Sequence, residues 1–97
     1  ISDIIPDDFS LSQNYPNPFN PFTKLGFKIP DAGNLKLQVF DVSGKLVSIL
    51  ANERLSHGEY SYNFRGENLP SGTYFYKLDF NSNYRSTGKI LKMTLVK

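Results

Sequence analysis

The sequence predicts an all-β domain, a seven-stranded antiparallel sandwich, and three observations carry that prediction. Fourteen of the 97 residues are Phe or Tyr, with no Trp, and they recur at alternate positions in short runs, which suits pleated, half-buried strands. Clusters of Gly, Asn, Asp, Ser and Pro cut the chain at spacings of roughly 8–14 residues, the rhythm of a sandwich. No stretch holds a sustained helical period. A chain of this length makes one domain with room for a modest core.

Residues 1–8 mix apolar residues with Pro6, Asp7 and Asp8 and show no period. The expectation is a linker from an upstream domain, disordered and open to proteases. Phe9 to Gln13 reads as a short first strand. Three prolines then fall within six residues, Pro16, Pro18 and Pro21. Each fixes φ near about −65° and removes a donor, and each restricts the residue before it. Tyr15 to Pro21 therefore reads as a polyproline-like ribbon that cannot be a central strand. Such a ribbon can carry an edge strand from one sheet to the other. Asn14, Asn17 and Asn20 can bond nearby backbone groups, while Tyr15 and Phe19 are large enough to anchor the segment.

Leu25, Phe27 and Ile29 alternate with Lys24, Gly26 and Lys28, so the next strand has one buried and one wet face. Pro30 to Asn34 ends it as a turn. Leu35, Leu37 and Val39 then oppose Lys36, Gln38 and Phe40. A tight turn at Asp41-Val42-Ser43-Gly44 leads to the hairpin partner, Lys45 to Leu50. The stretch Ala51 to Gly58 has Leu50, Arg54 and Leu55 at helical spacing, but Asn52, Ser56 and Gly58 favour a loop. Tyr60, Tyr62 and Phe64 mark a fifth strand. After a turn over Gly66 to Gly72 the sixth carries Tyr74, Tyr76, Leu78 and Phe80 inward, with Gly72-x-Tyr74 placed where a tyrosine corner sits. Asn81 to Asn83 turns the chain into a last strand, Arg85 to Lys97. Leu91, Met93 and Leu95 line one of its faces and Ile90, Lys92, Thr94 and Val96 the other, which predicts cover on both sides. The expected inner faces hold Leu25, Phe27, Leu37, Val39, Tyr60, Tyr62, Tyr74, Tyr76, Met93 and Leu95. The whole is an immunoglobulin-like arrangement.

Several chemistries find no support. A formal charge of +2 with scattered lysines does not point to nucleic acid. The absence of cysteine removes disulfides and thiolate metal sites without assigning a compartment. No apolar run approaches the roughly 20 residues of a bilayer span, and the first residues do not read as a signal peptide. His57, the one histidine, sits in a polar loop and reads as a surface residue rather than a catalytic one. Asp31, Asp41, Glu67 and Asp79 fall in or near turns, where carboxylates cap backbone groups, and no calcium-loop pattern is present. Gly33, Gly44 and Gly72 punctuate turns and form no phosphate loop. No catalytic residue, cofactor or metal site is assigned.

The stretch Leu11-Ser-Gln-Asn-Tyr-Pro-Asn-Pro-Phe-Asn-Pro21 resembles the opening signature of the type A C-terminal sorting domain of the type IX (Por) secretion system of Bacteroidetes-type bacteria. The likeness continues through Thr23 to Pro30, Leu37 to Lys45, Leu69 to Leu78 and Lys92 to Lys97, in the family's order. Its signature residues here are Asn14, Tyr15, Pro16, Asn17, Pro18, Phe19, Asn20, Pro21, Gly72 and Tyr74. The resemblance implies that residues 9–97 form a sorting domain at the C-terminal end of a cargo precursor. Such a domain crosses the periplasm, is recognised by the outer-membrane machinery through a closing motif, here Lys92, Met93, Thr94, Leu95, Val96 and Lys97, and is removed at its N-terminal side by a sortase-like peptidase. The cargo is then attached to the cell surface or released. An export signal is expected on the longer precursor, and Lys97 is expected to be its last residue. The alternative is an accessory immunoglobulin-like binding module, carbohydrate-binding or similar to flagellar hook-capping domains. An enzyme is the least supported reading.

Overall fold

Alternation of apolar and polar side chains dictates which residues turn inward, and the strands follow that pattern closely. The computed structural model describes residues 9–97; the expected linker at 1–8 lies outside the described residues. Seven strands follow in order: β1 (Ser10–Leu11), β2 (Phe22–Ile29), β3 (Gly33–Asp41), β4 (Leu46–Leu55), β5 (Gly58–Arg65), β6 (Gly72–Ser82) and β7 (Ser86–Leu95). They form two sheets, β1-β2-β5 and β4-β3-β6-β7, in which all named strand pairs are antiparallel. The inner faces meet in one core that includes Leu25, Phe27, Leu37, Val39, Tyr76, Leu78 and Met93, none more than 2% exposed. This is the expected antiparallel sandwich.

Local differences from the expectation each have a physical cause. The stretch read as a loop after Leu50 is strand through Leu55. Register shifts between Leu37 and Gln38 and between Val39 and Phe40 interrupt the β3–β4 ladder. A bulge of this kind puts two residues opposite one and breaks the period of two. Val47, Leu50 and Ala51 can then all touch the core, and their spacing mimics a helix. Tyr60 and Tyr62 are half-buried at the edge of the core, stacked on Phe27 with ring centroids 5.7 and 5.8 Å away. β6 runs on through Ser82, so the turn before β7 falls at Asn83 to Arg85. The second face of β7 is open rather than covered: Ile90 is 56% and Val96 48% exposed.

The Asp41 turn forms as predicted. Asp41 Oδ1 accepts from the Ser43 hydroxyl and from the backbone N–H groups of Ser43 and Lys45. The Ser43 hydroxyl, followed by the Lys45 N–H, holds the Asp41 carboxyl below its ordinary value. At the head of β6 the tyrosine corner is present: Tyr74 Oη donates to the Pro70 carbonyl at 2.7 Å. Burial raises the Tyr74 phenol, with a smaller push from Asp41. Gly72, at φ +153°, occupies a backbone region that side chains disfavour, which accounts for glycine two residues before that tyrosine.

Candidate functional site

β7 is the last strand and the edge of its sheet. Leu91, Met93 and Leu95 point inward, with Met93 and Leu95 at most 1% exposed. One edge of β7 pairs along its length with β6. An edge strand otherwise presents a row of unpaired backbone groups, and the proline-rich segment closes part of that row.

The segment leaves β1, meets β7 of the other sheet at Phe19, and returns as β2 to the three-stranded sheet it started from, so it joins two paired strands of one sheet rather than carrying the chain across to the other as expected. The peptide bonds before Pro16, Pro18 and Pro21 are cis, and the chain between Pro16 and Pro21 forms bends rather than a polyproline run. Four hydrogen bonds fasten it to β7. Gln13 Nε2 donates to Lys92 O (2.8 Å), Thr94 N to Asn17 Oδ1 (3.0 Å), Phe19 N to Thr94 O (2.9 Å) and Val96 N to Phe19 O (2.9 Å). On its other side Tyr15 and Lys24 exchange backbone bonds of 3.1 and 2.9 Å, and Gly66 N donates to Pro21 O at 2.8 Å. The segment therefore clasps Lys92 to Val96 onto the body of the sandwich.

Two side chains of the clasp go deep. Phe19 is 1% exposed and meets the edge of Phe64 at 5.9 Å between centroids. Gly66 closes this pocket: a Cβ there would stand 3.0 Å from Leu95 Cδ2 and 3.2 Å from Phe19 Cε2. Asn14, 2% exposed, donates through Nδ2 to Pro16 O and Thr23 Oγ1, both at 3.0 Å, and its Oδ1 accepts from Gln13 Nε2 at 2.6 Å. Thr23 in turn donates to Pro16 O at 2.8 Å. Each buried polar atom in this knot has a partner, as burial demands. Beneath it Tyr76 Oη donates to Ser12 O at 2.6 Å, and burial pushes the Tyr76 phenol up to about 12.

The structure thus divides the signature residues. Asn14 and Phe19 are buried anchors and Asn17 a backbone partner. Tyr15, expected to anchor, is 81% exposed. Its backbone sits in a bridge to Lys24, and this turns the ring outward. Pro16, Pro18 and Asn20 are exposed and Pro21 is half-buried, while Gly72 and Tyr74 lie in the corner at the head of β6. Of the closing motif, Met93 and Leu95 are core, Thr94 is half-buried, and Lys92, Val96 and Lys97 are exposed. Lys97 is tied down as well, its N–H to Ser71 Oγ and its ammonium to Glu67 O. Sequence reasoning gave no role to Gln13, Thr23 or Gly66. Thr23 carried a signal: it is the polar member of the inward series Thr23, Leu25, Phe27 and Ile29, and a polar side chain on an inward face needs a partner.

Comparison with known proteins places this geometry. The family model described as "Secretion system C-terminal sorting domain" matches residues 13–93, from the first residue of the clasp into β7. No curated protein matches the sequence. Among solved structures the chain is similar to the crystal structure of dimeric latent PorU from Porphyromonas gingivalis, with TM-score 0.72 and 18% identity. That match covers 99% of this chain and 10% of PorU, so the chain spans about a tenth of that protein's length. It is also similar to CopC from Methylosinus trichosporium OB3b, with TM-score 0.54, 17% identity, and coverage of 91% and 93% of the two chains. At these identities the structural likeness shows the fold alone. Matched over most of its length, the chain belongs to the secretion system C-terminal sorting domain family, whose members direct a cargo protein through the type IX secretion system to the cell surface or beyond.

Proposed function

We propose that β7 and its clasp act as one recognition element, and that the outer-membrane machinery reads their joint surface. The observation that carries this reading is the meeting of the family's opening and closing motifs at four hydrogen bonds between residues 13–19 and 92–96. An end strand invites a receptor to add a strand of its own. Here the backbone groups from Lys92 O to Val96 N are already engaged, so recognition falls to side chains. Tyr15, Lys92, Val96 and Lys97 stand exposed on that surface. Tyr15 and Val96 supply apolar contact, and the two lysines supply orientation. The rest of the sandwich holds the element in shape and works as an address rather than as a catalyst.

Cargo precedes the domain in the same precursor, crosses the periplasm with it, and is parted from it by a sortase-like peptidase within or upstream of residues 1–8. A reporter fused ahead of the domain, in a bacterium with the secretion system, tests the recognition element. Removal of Thr94 to Lys97 is expected to abolish surface delivery. Because Leu95 belongs to the core, the deciding variant is Tyr15→Ala with Val96→Ala, which leaves every clasp bond in place. Delivery at the parental level from that folded double variant would overturn the reading.

A further inference from the structure

The outer face of the four-stranded sheet carries charge in a line. Arg54 on β4 pairs with Asn34 of β3, and Lys36 lies two residues further along β3. Lys77 on β6 pairs with Gln38, two residues further again, and Lys92 on β7 pairs with Phe75, one more step in the same direction. In the sheet order β4-β3-β6-β7 the four cations therefore form a diagonal, one on each strand. With strands ~4.8 Å apart and ~3.4 Å per residue, successive members are about 8 Å apart. Asp79 is the carboxylate among them: it lies 3.7 Å from Lys77 and pairs across the strands with Lys36, so one negative charge sits beside the middle of the line. On the opposite sheet Lys28 meets Glu59 at 3.7 Å, and Arg65 meets Glu67 at 2.9 Å while lying over the Phe22 ring.

The flanks of the diagonal differ. On one side a groove of about 430 Å³ is lined by Lys36 and Asp79, by the exposed amides of Asn34, Asn52 and Asn81, and by Ser86. On the other a groove of about 290 Å³ is floored by Phe40, Phe75, Ile90 and the stem of Lys77. We propose that this face binds a linear anionic polysaccharide with carboxylate or phosphate groups along its length. The cations match the repeated charge, the amides and hydroxyl match sugar hydroxyls, and the apolar groove takes the less polar face of a ring. A line of charge between two grooves fits a chain-like polyanion better than the plane of an anionic membrane. The proposal shares Lys92 with the sorting reading but does not rest on it, since Arg54, Lys36 and Lys77 lie outside the recognition element.

The test uses the 97-residue chain and three probes at low salt: a polyuronate oligosaccharide, a neutral dextran, and poly-glutamate, each titrated by calorimetry. The polyuronate is expected to bind with an affinity that falls as salt screens the charges. Lys36→Gln, Lys77→Gln and Lys92→Gln should each weaken it about two- to fivefold, with unchanged melting. Lys24→Gln and Lys28→Gln, on the other sheet, should leave it unaltered. Failure of the polyuronate to bind, equal binding of dextran or poly-glutamate, or equal losses from the Lys24 and Lys28 variants would overturn the proposal.

Discussion

The two faces of the four-stranded sheet are made by the same strands and share almost nothing else. Along β3, Leu35, Leu37 and Val39 face inward, at most 2% exposed, and so do Tyr76, Leu78 and Phe80 along β6. The residues between them, Lys36, Gln38, Phe40, Phe75, Lys77 and Asp79, form the outer face and range from half-buried to exposed. Backbone pairing is common to both faces, so the difference lies in what each side chain gives up. Inward residues leave water completely, and each large one stabilises the fold by about 1.5–3 kcal/mol. Outward apolar residues such as Ile90 stay in contact with water and contribute little. Stability is concentrated on one face, which leaves the other free to vary with function.

The comparison breaks most sharply at Val39. Val39→Asp puts an unpaired carboxylate into the core, at a cost of several kcal/mol, and is expected to unfold the domain. Gln38→Asp, one residue away on the outer face, should melt with the parent by circular dichroism. Next in size is the clasp. Phe19→Ala empties a buried aromatic site and should lower stability by about 2–4 kcal/mol in urea unfolding. Survival of Phe19→Ala at the parental midpoint would show that the clasp is laid over a core that does not need it. Asn14→Ala strips the Thr23 hydroxyl and the Pro16 carbonyl of a buried partner and should cost about 1–3 kcal/mol.

A smaller effect appears in alkali. The folded Tyr76 phenol titrates at about 12 against an ordinary value of 10. Between those values the unfolded chain has lost the proton and the folded chain retains it, so stability is complete below pH 10 and falls as pH rises towards 12. Tyr76→Phe should remove part of that fall, visible as a flatter dependence of the melting temperature on pH, while forfeiting about 1 kcal/mol from the bond to Ser12. Smallest of all is Ile90→Ser, expected to shift stability by less than about 0.5 kcal/mol. A large loss there would mean that the outer face contributes to the fold after all.

Much of this was legible in residue order because a strand has period two. Leu25-Phe27-Ile29, Leu37-Val39 and Tyr74-Tyr76-Leu78-Phe80 named their own inner faces. Glycine and Asp41 named the turns, and the prolines marked an irregular segment but not its return to the sheet it left. The second half of β4, from Ala51, escaped because bulges replaced period two with a spacing that no single template describes. Tyr60 and Tyr62 were assigned to the right face but to the wrong depth, since depth at an edge strand depends on which neighbours happen to overhang it.

The sequence by itself determined the strand pattern, the inward set and the family, because local alternation, turn chemistry and short motifs are properties of neighbours along the chain. Only the tertiary structure decided that Gln13, Asn17 and Phe19 close the edge of β7, 75–79 residues away, and that Tyr15 faces water while Asn14 does not. It alone set Arg54, Lys36, Lys77 and Lys92 in one line. Partners so distant are chosen by the hydrogen-bond demands of an exposed edge and by the register of strands, and neither is written at any single position.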